Sequence, residues 1–313
     1  MNGCQHGHII LITGATGYLG SVVVHRALAA GHTVRAVVRD RRRASVLPAA
    51  AEVAVADLLD VGALRAAATG CSAVLHLGGT VGGDPYLLHR TNVEGTRAVL
   101  AAASAAGVRR FVHTSTGAAV LDADGLIADD PAGPPVLTDP YSVSKAEAEE
   151  IVRSAADLET VIVRPAAVYG PSPRGPESYN GMFLAAARGE LPAVVDAAVG
   201  WVLAEDCADG HLLALTHGEP GRAYVLCGEV ATFGRVVGLV LDGLGAPPVH
   251  VAPRGTDLGP DAGTFAARSQ VYGMRPPVRV DDRGARALGF RPRGVDEGAA
   301  LTVDWLRSWH GPV

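Results

Sequence analysis

Short apolar runs alternate with longer Ala- and Val-rich stretches of helical spacing along more than half of the chain, a pattern that predicts strands interleaved with helices. The first run, Ile9–Thr13, leads into glycines at 14, 17 and 20, an Ala/Val-rich helix over 21–30, a Gly31-His32 stop and a second run over 33–38. Later strands are expected over 52–56, 73–77, 109–114, 160–164 and 222–227, with helices over 61–68, 92–106 and 141–155. Alternation of this kind gives an α/β fold, a doubly wound parallel sheet buried on both faces, with ligands bound at the carboxyl ends of the strands.

The regular alternation stops near Pro171, so a dinucleotide-binding domain is expected over 1–170 with a return segment over 202–230. A smaller C-terminal substrate lobe takes 171–201 and 231–313, with helices over 182–188, 233–244, 281–288 and 295–309. The chain has 313 residues, 48% of them hydrophobic, and a net charge of −5, which gives no basis for a nucleic-acid or anionic-membrane partner. Arg41, Arg42 and Arg43 form a short run read as a solvated face. Cys4, Cys71, Cys207 and Cys227 are scattered without metal-ligand spacing, consistent with a reducing, cytoplasmic setting. His6 and His8 read as part of a mobile tail rather than a metal pair, so no metal is expected.

The residues at the strand ends carry the chemistry. Gly14 permits a tight turn, Gly17 allows main chain to approach a pyrophosphate, and Gly20 lets the helix pack close to the sheet. With Thr16, Tyr18 and Leu19 they make the candidate diphosphate loop, the helix N-terminus supplying free N–H groups. Val38 and then Arg39 stand where an acidic residue would take the ribose hydroxyls of NAD, so Arg39 favours the 2′-phosphate of NADP(H), with NAD(H) the alternative. Asp57, followed by Leu58, either accepts from an adenine amine or caps the next helix. Leu77, Gly78 and Gly79 allow close approach of a ligand, and Asn92 either caps its helix or ties neighbouring loops together. Tyr141 and Lys145 are one helical turn apart, and an ammonium at that spacing brings a phenol towards the range of a neutral-pH acid/base. Thr114 and Thr116 end the neighbouring strand in a hydroxyl cluster.

Jointly, Thr-Gly-Ala-Thr-Gly-Tyr-Leu-Gly at 13–20, Asn-Val-Glu-Gly-Thr at 92–96, Thr-Ser-Thr at 114–116, Tyr-Ser-Val-Ser-Lys at 141–145 and Arg-Pro-Ala-Ala-Val-Tyr-Gly-Pro at 164–171 resemble the extended short-chain dehydrogenase/reductase family. This is also called the NAD-dependent epimerase/dehydratase family, and residues 34–40 look most like its dihydroflavonol-reductase-like branch. The resemblance implies Tyr141 as acid/base, Lys145 as its electrostatic partner and ribose ligand, and Thr116 as the hydroxyl that polarises the substrate oxygen. Thr116 stands where Ser is commoner, so a methyl crowds the pocket. Pro165, Ala167 and Val168 would line the nicotinamide, and Val81, Tyr179 and Asn180 join Thr116 as substrate-side candidates. Asp206 would cap the helix of the return segment. Arg254, Arg268, Arg275 and Arg279 could hold a substrate phosphate, although surface exposure is the commoner fate of arginine. A homodimer through the Asn92 and Tyr141 helices is also implied. The expected activity is NADP(H)-dependent reduction of a ketone or aldehyde of a small to medium, largely apolar metabolite. A nucleotide-sugar epimerase, dehydratase or ketoreductase is the enzymatic alternative, and a nonenzymatic dinucleotide sensor the alternative of another class.

Overall fold

The structure, a computed structural model, describes residues 9–309 apart from 132, 260 and 261. Cys4, His6 and His8 lie outside the described residues. Seven strands form one parallel sheet: β1 (Ile9–Thr13), β2 (Thr33–Val38), β3 (Glu52–Val55), β4 (Ala73–His76), β5 (Arg110–Thr114), β6 (Glu159–Pro165) and β7 (Ala223–Leu226). Their spatial order is β7-β6-β5-β4-β1-β2-β3. The order reverses between β1 and β4, and the loops that leave those two strands part to form a crevice. Side chains on both faces of the sheet are buried, among them Ile10, Leu11, Ile12, Val74, Leu75, Phe111 and Val112, which is why the strands read as continuous apolar runs.

The smaller lobe packs around Trp201, which is fully buried on the strand Ala198–Leu203 and donates from its indole nitrogen to Ala231 O at 3.0 Å. Tyr169, Phe183 and Phe233 surround its ring, Tyr169 and Phe233 edge-on. Cys71, Cys207 and Cys227 are free and buried. Among the described residues no helix is long and apolar enough to cross a membrane.

Three expectations change. The helix expected over 92–106 begins earlier: Pro85–His89 starts it, with Asp84 accepting from Leu87 N at 2.9 Å, and a wider π-turn at Arg90–Glu94 joins it to Gly95–Ala105. Asn92 therefore lies inside the helix and caps nothing. Asp206 is likewise no cap, since Leu203 precedes the helix Ala204–His217 without a side-chain bond; instead Asp206 accepts from Arg293 N and Nε at 2.8 and 2.9 Å and fastens the C-terminal segment. Finally, the stretch between the expected helices 233–244 and 281–288, to which no helix is assigned from the sequence, holds one at Gly263–Gly273.

One ion pair positions the site. The helix Pro140–Arg153 is held to β6 by Arg164, whose Nε and Nη2 donate to the Glu149 carboxylate at 2.9 and 2.6 Å while Nη1 donates to Ala128 O and Asp129 O. Both side chains are buried, so removing one partner strands a desolvated charge. Glu149→Ala is expected to destabilise the fold by about 3–5 kcal/mol, read as a lowered midpoint in urea unfolding; a change within experimental error would show that the pair does not anchor this helix.

Candidate active site

Gly14 ends β1 in a left-handed turn (φ +68°), and a Cβ there would lie 2.6 Å from the carbonyl carbon of Leu77 at the end of β4. A Cβ on Gly20 would lie 2.0 Å from Gly14 O, so this glycine is required by the loop itself rather than by contact with the sheet. Gly17 precedes the helix Tyr18–Ala29 with no side-chain cap and no acidic residue in the first turn. The N–H groups of that turn are thus left to an external anion at a place without Cβ obstruction, which fits a dinucleotide diphosphate.

Beside the loop opens a cavity of about 500 Å³. Gly14, Gly17, Tyr18, Leu19 and Gly20 line one end of it, Leu77, Gly79 and Val81 one side, and Pro165, Ala167 and Val168 another. Thr114, Thr116, Tyr141, Lys145 and Tyr179 complete the expected set. Six expected residues are elsewhere. Thr16 and Gly78 belong to the flanking loops, Leu58 packs its side chain over Gly78, and Asp57 is exposed and accepts from Leu59 N at 3.0 Å. The cap of the following helix is Asp60, not Asp57. Arg39 is exposed after β2 and forms no ion pair among the described residues, while Asp40 is held by Arg42 Nε at 2.8 Å. Asn180 is a correction: it is fully buried, accepts from Gly170 N at 2.9 Å and donates to Gly170 O and Tyr18 Oη, so it braces a loop and does not face a substrate.

Local sequence sets the helix that carries Tyr141 and Lys145. Asp139 accepts from Ser142 N at 3.1 Å and from Ser142 Oγ at 2.6 Å, and Pro140 fills the first helical position, where a missing N–H costs nothing. Asn92 ties the neighbouring loop to this helix, its Oδ1 accepting from Thr80 N at 2.8 Å and its Nδ2 donating to Ser144 Oγ at 3.0 Å. A Cβ on Gly79 would come within 2.9 Å of Asn92 Oδ1, which explains the glycine.

Lys145 Nζ donates to Thr114 O at 2.6 Å, and burial pushes its pKa down to about 8, with Glu149 opposing. Beneath it, His76 is pushed down to about 3, first by burial and then by Lys145, and stays neutral. The Thr114 hydroxyl bonds His211 Nε2 at 2.9 Å, so Thr114 meets the cavity through its backbone. Thr116 Oγ1 accepts from Ala118 N at 3.3 Å, and its hydroxyl hydrogen-bonds the Tyr141 phenol.

The cation that acts most strongly on Tyr141 is not Lys145. Arg268, on the helix Gly263–Gly273, places its guanidinium carbon 5.8 Å from the centroid of the Tyr141 ring and lines the same cavity. Burial raises the Tyr141 phenol above its ordinary value; Arg268 and then the Thr116 hydroxyl work to lower it, while Tyr179 and Asp139 add to the rise. Sequence reading missed this role. The available signal was Arg268 one helical turn before Tyr272, but nothing local joins that pair to Tyr141. Ser178, at the cavity edge, is the non-glycine residue with positive φ (+58°) among the described residues, and its Oγ donates to Val168 O at 3.1 Å.

Because removal of a cation disfavours the phenolate, Arg268→Gln is expected to move the Tyr141 titration to still higher pH. Ultraviolet difference titration of phenolate absorbance against a Tyr141→Phe background checks this, and an unchanged midpoint would assign the control to another group.

The sequence pattern described as NAD dependent epimerase/dehydratase family matches residues 10–227. Sterol demethylase protein B of Methylococcus capsulatus is 35% identical, the match covering 95% of this chain and 98% of that protein. A putative dihydroflavonol 4-reductase of Synechocystis is 34% identical over 96% of this chain and 95% of its own length. The solved structure of Thermus thermophilus UDP-glucose 4-epimerase in complex with NAD superposes with a TM-score of 0.74 at 26% identity, covering 96% of this chain and 99% of that one. The parallel seven-stranded sheet, the uncapped glycine loop and these matches establish that the chain belongs to the NAD-dependent epimerase/dehydratase family and is an NAD(P)-dependent enzyme of the extended short-chain dehydrogenase/reductase type.

Proposed function

We propose that the protein is an NADP(H)-dependent reductase of a ketone or aldehyde carried by a small to medium, largely apolar molecule. The observation that carries this reading is the convergence of Thr116, Tyr141 and Lys145 on one cavity that also reaches the glycine loop. When bound, the nicotinamide supplies the hydride that adds to the carbonyl carbon. Tyr141 gives its phenolic proton to the carbonyl oxygen, Thr116 donates a hydrogen bond to the same oxygen as negative charge develops, and the product is the alcohol. Lys145, with one hydrogen committed to Thr114 O, offers the others to the nicotinamide ribose and helps to reprotonate Tyr141. Gly14, Gly17 and Gly20 would cradle the diphosphate, and Pro165, Ala167 and Val168 would bound the nicotinamide pocket.

Preference for the 2′-phosphate rests on the end of β2. Arg39 is exposed there and makes no ion pair among the described residues, whereas the neighbouring Asp40 carboxylate is held by Arg42 and its pKa lies below the ordinary value because of that bond. A carboxylate so engaged is a poor acceptor for ribose hydroxyls. The exposed apolar side chains of Tyr86, Leu87 and Val143, on the two helices that flank the site, supply a surface for the homodimer that the family resemblance implies.

Tyr141→Phe is expected to lower carbonyl reduction by about 10²- to 10⁴-fold while NADPH affinity stays unchanged; undiminished turnover would reject the acid role. Arg39→Ala is expected to weaken NADPH binding by about 1–3 kcal/mol and to leave NADH binding unaltered, measured by isothermal titration. Equal loss for both dinucleotides would remove the basis for the NADP(H) preference.

A further inference from the structure

Arg268 is a cation at the reacting end of the cavity without a carboxylate of its own. Tyr179, which hydrogen-bonds the guanidinium, Tyr272 and Tyr141 surround it, and no ion pair holds it among the described residues. Burial works against its charge, but a guanidinium stays protonated, and Tyr141 and Tyr272, whose phenol pKa values burial raises, are neutral neighbours that do not compensate it. Glu177 is the acidic residue that lines the cavity, and its carboxylate is taken by Arg174 Nε at 2.8 Å. The other lining cation, Lys145, gives one hydrogen to Thr114 O and is assigned with the others to the nicotinamide ribose. A guanidinium kept charged in a partly closed, largely apolar pocket is an anion receptor with its natural partner missing.

Position decides which anion. The guanidinium carbon is 5.8 Å from the Tyr141 ring centroid, so an anion bonded to it lies close to the oxygen that Tyr141 and Thr116 hold. An anion paired with the guanidinium and a carbonyl held by Tyr141 and Thr116 therefore sit in one part of the cavity. A carboxylate on the carbon next to the carbonyl is a compact way to present both. The diphosphate of a nucleotide sugar is not, since a whole sugar ring separates it from a carbonyl at the far side. The remaining wall includes Ile127, Val199 and Val278, which can take an alkyl chain.

We infer that Arg268 selects an oxo acid, the carboxylate pairing with its guanidinium while Tyr141 and Thr116 hold the adjacent carbonyl and an apolar chain fills the rest of the cavity. This rests on the reductase reading for its chemistry but not for the ion pair. Binding of the carboxylate also neutralises the cation beside Tyr141, so the phenol keeps its proton until it is transferred to the reacting oxygen.

The test compares acid with neutral analogue in each protein, so that effects of Arg268 on Tyr141 common to both cancel. With NADPH, β-oxooctanoate is expected to be reduced about 10- to 100-fold more efficiently (kcat/KM) than its methyl ester; Arg268→Gln brings that ratio near unity, and Arg268→Lys restores part of it. Binding is read separately by isothermal titration of octanoate and octanamide into the NADP(H)-loaded protein. Tighter octanoate binding that is lost in Arg268→Gln supports the assignment even where neither oxo compound is reduced, an outcome that would defeat the reductase reading alone. Equal binding of octanoate and octanamide to the unsubstituted protein overturns the assignment, as does an acid-to-ester ratio that survives in Arg268→Gln. Arg268-dependent binding of uridine diphosphate in place of octanoate overturns it in favour of a nucleotide-linked substrate.

Discussion

The buried pair of Glu149 and Arg164 is the constraint on which the site depends. Its bidentate geometry fixes both the distance and the rotation of the Pro140–Arg153 helix relative to β6, because a fork of two parallel bonds admits little slippage. Tyr141 and Lys145 ride on one end of that helix, and Pro165 ends the strand to which it is tied. Two desolvated charges are a costly fastening, tolerable because Ala128 and Asp129 carbonyls take further guanidinium hydrogens. Asn92 braces the same helix from the other side.

Charge in the cavity is divided between two cations with different duties. Lys145 is attached to the Thr114 carbonyl over two histidines that burial keeps neutral. Arg268, carried in by the smaller lobe, is the cation nearest in effect to the Tyr141 phenol. The proton affinity of the phenol, raised first by burial, is therefore also tuned across the boundary between the lobes. Movement of the Gly263–Gly273 helix would alter that affinity with no change in the Tyr141 helix itself.

The glycine loop is coupled to the smaller lobe as well. Tyr18 donates to Gly170 O at 2.8 Å and accepts from Asn180 Nδ2 at 2.9 Å, and Ser172 Oγ donates to Tyr18 O at 2.9 Å. The first residue of the helix Tyr18–Ala29 is thus bonded to the segment that follows Val168, which ties the glycine loop to that wall of the cavity. Asn180 serves this clasp, which is why it is buried away from the cavity.

The sequence by itself determined the parallel sheet, the glycine turn and the Tyr141–Lys145 spacing, because each is written in local order: apolar runs that suit a sheet buried on both faces, glycines where a Cβ would collide, and a four-residue helical offset. The small strands of the second lobe and the early start of the Pro85–His89 helix were illegible because those segments are short, and the Gly263–Gly273 helix because glycine bounds it at both ends and it mixes polar with apolar residues. Asp57 and Asn180 stood beside functional segments yet turned inward or to local backbone, since side-chain direction at a loop follows from the surrounding packing. Only the tertiary structure decided that Arg268, among several arginines of indistinguishable local context, lies over Tyr141: a contact between residues more than a hundred positions apart has no periodicity to announce it, and electrostatic influence depends on distance in space, not along the chain.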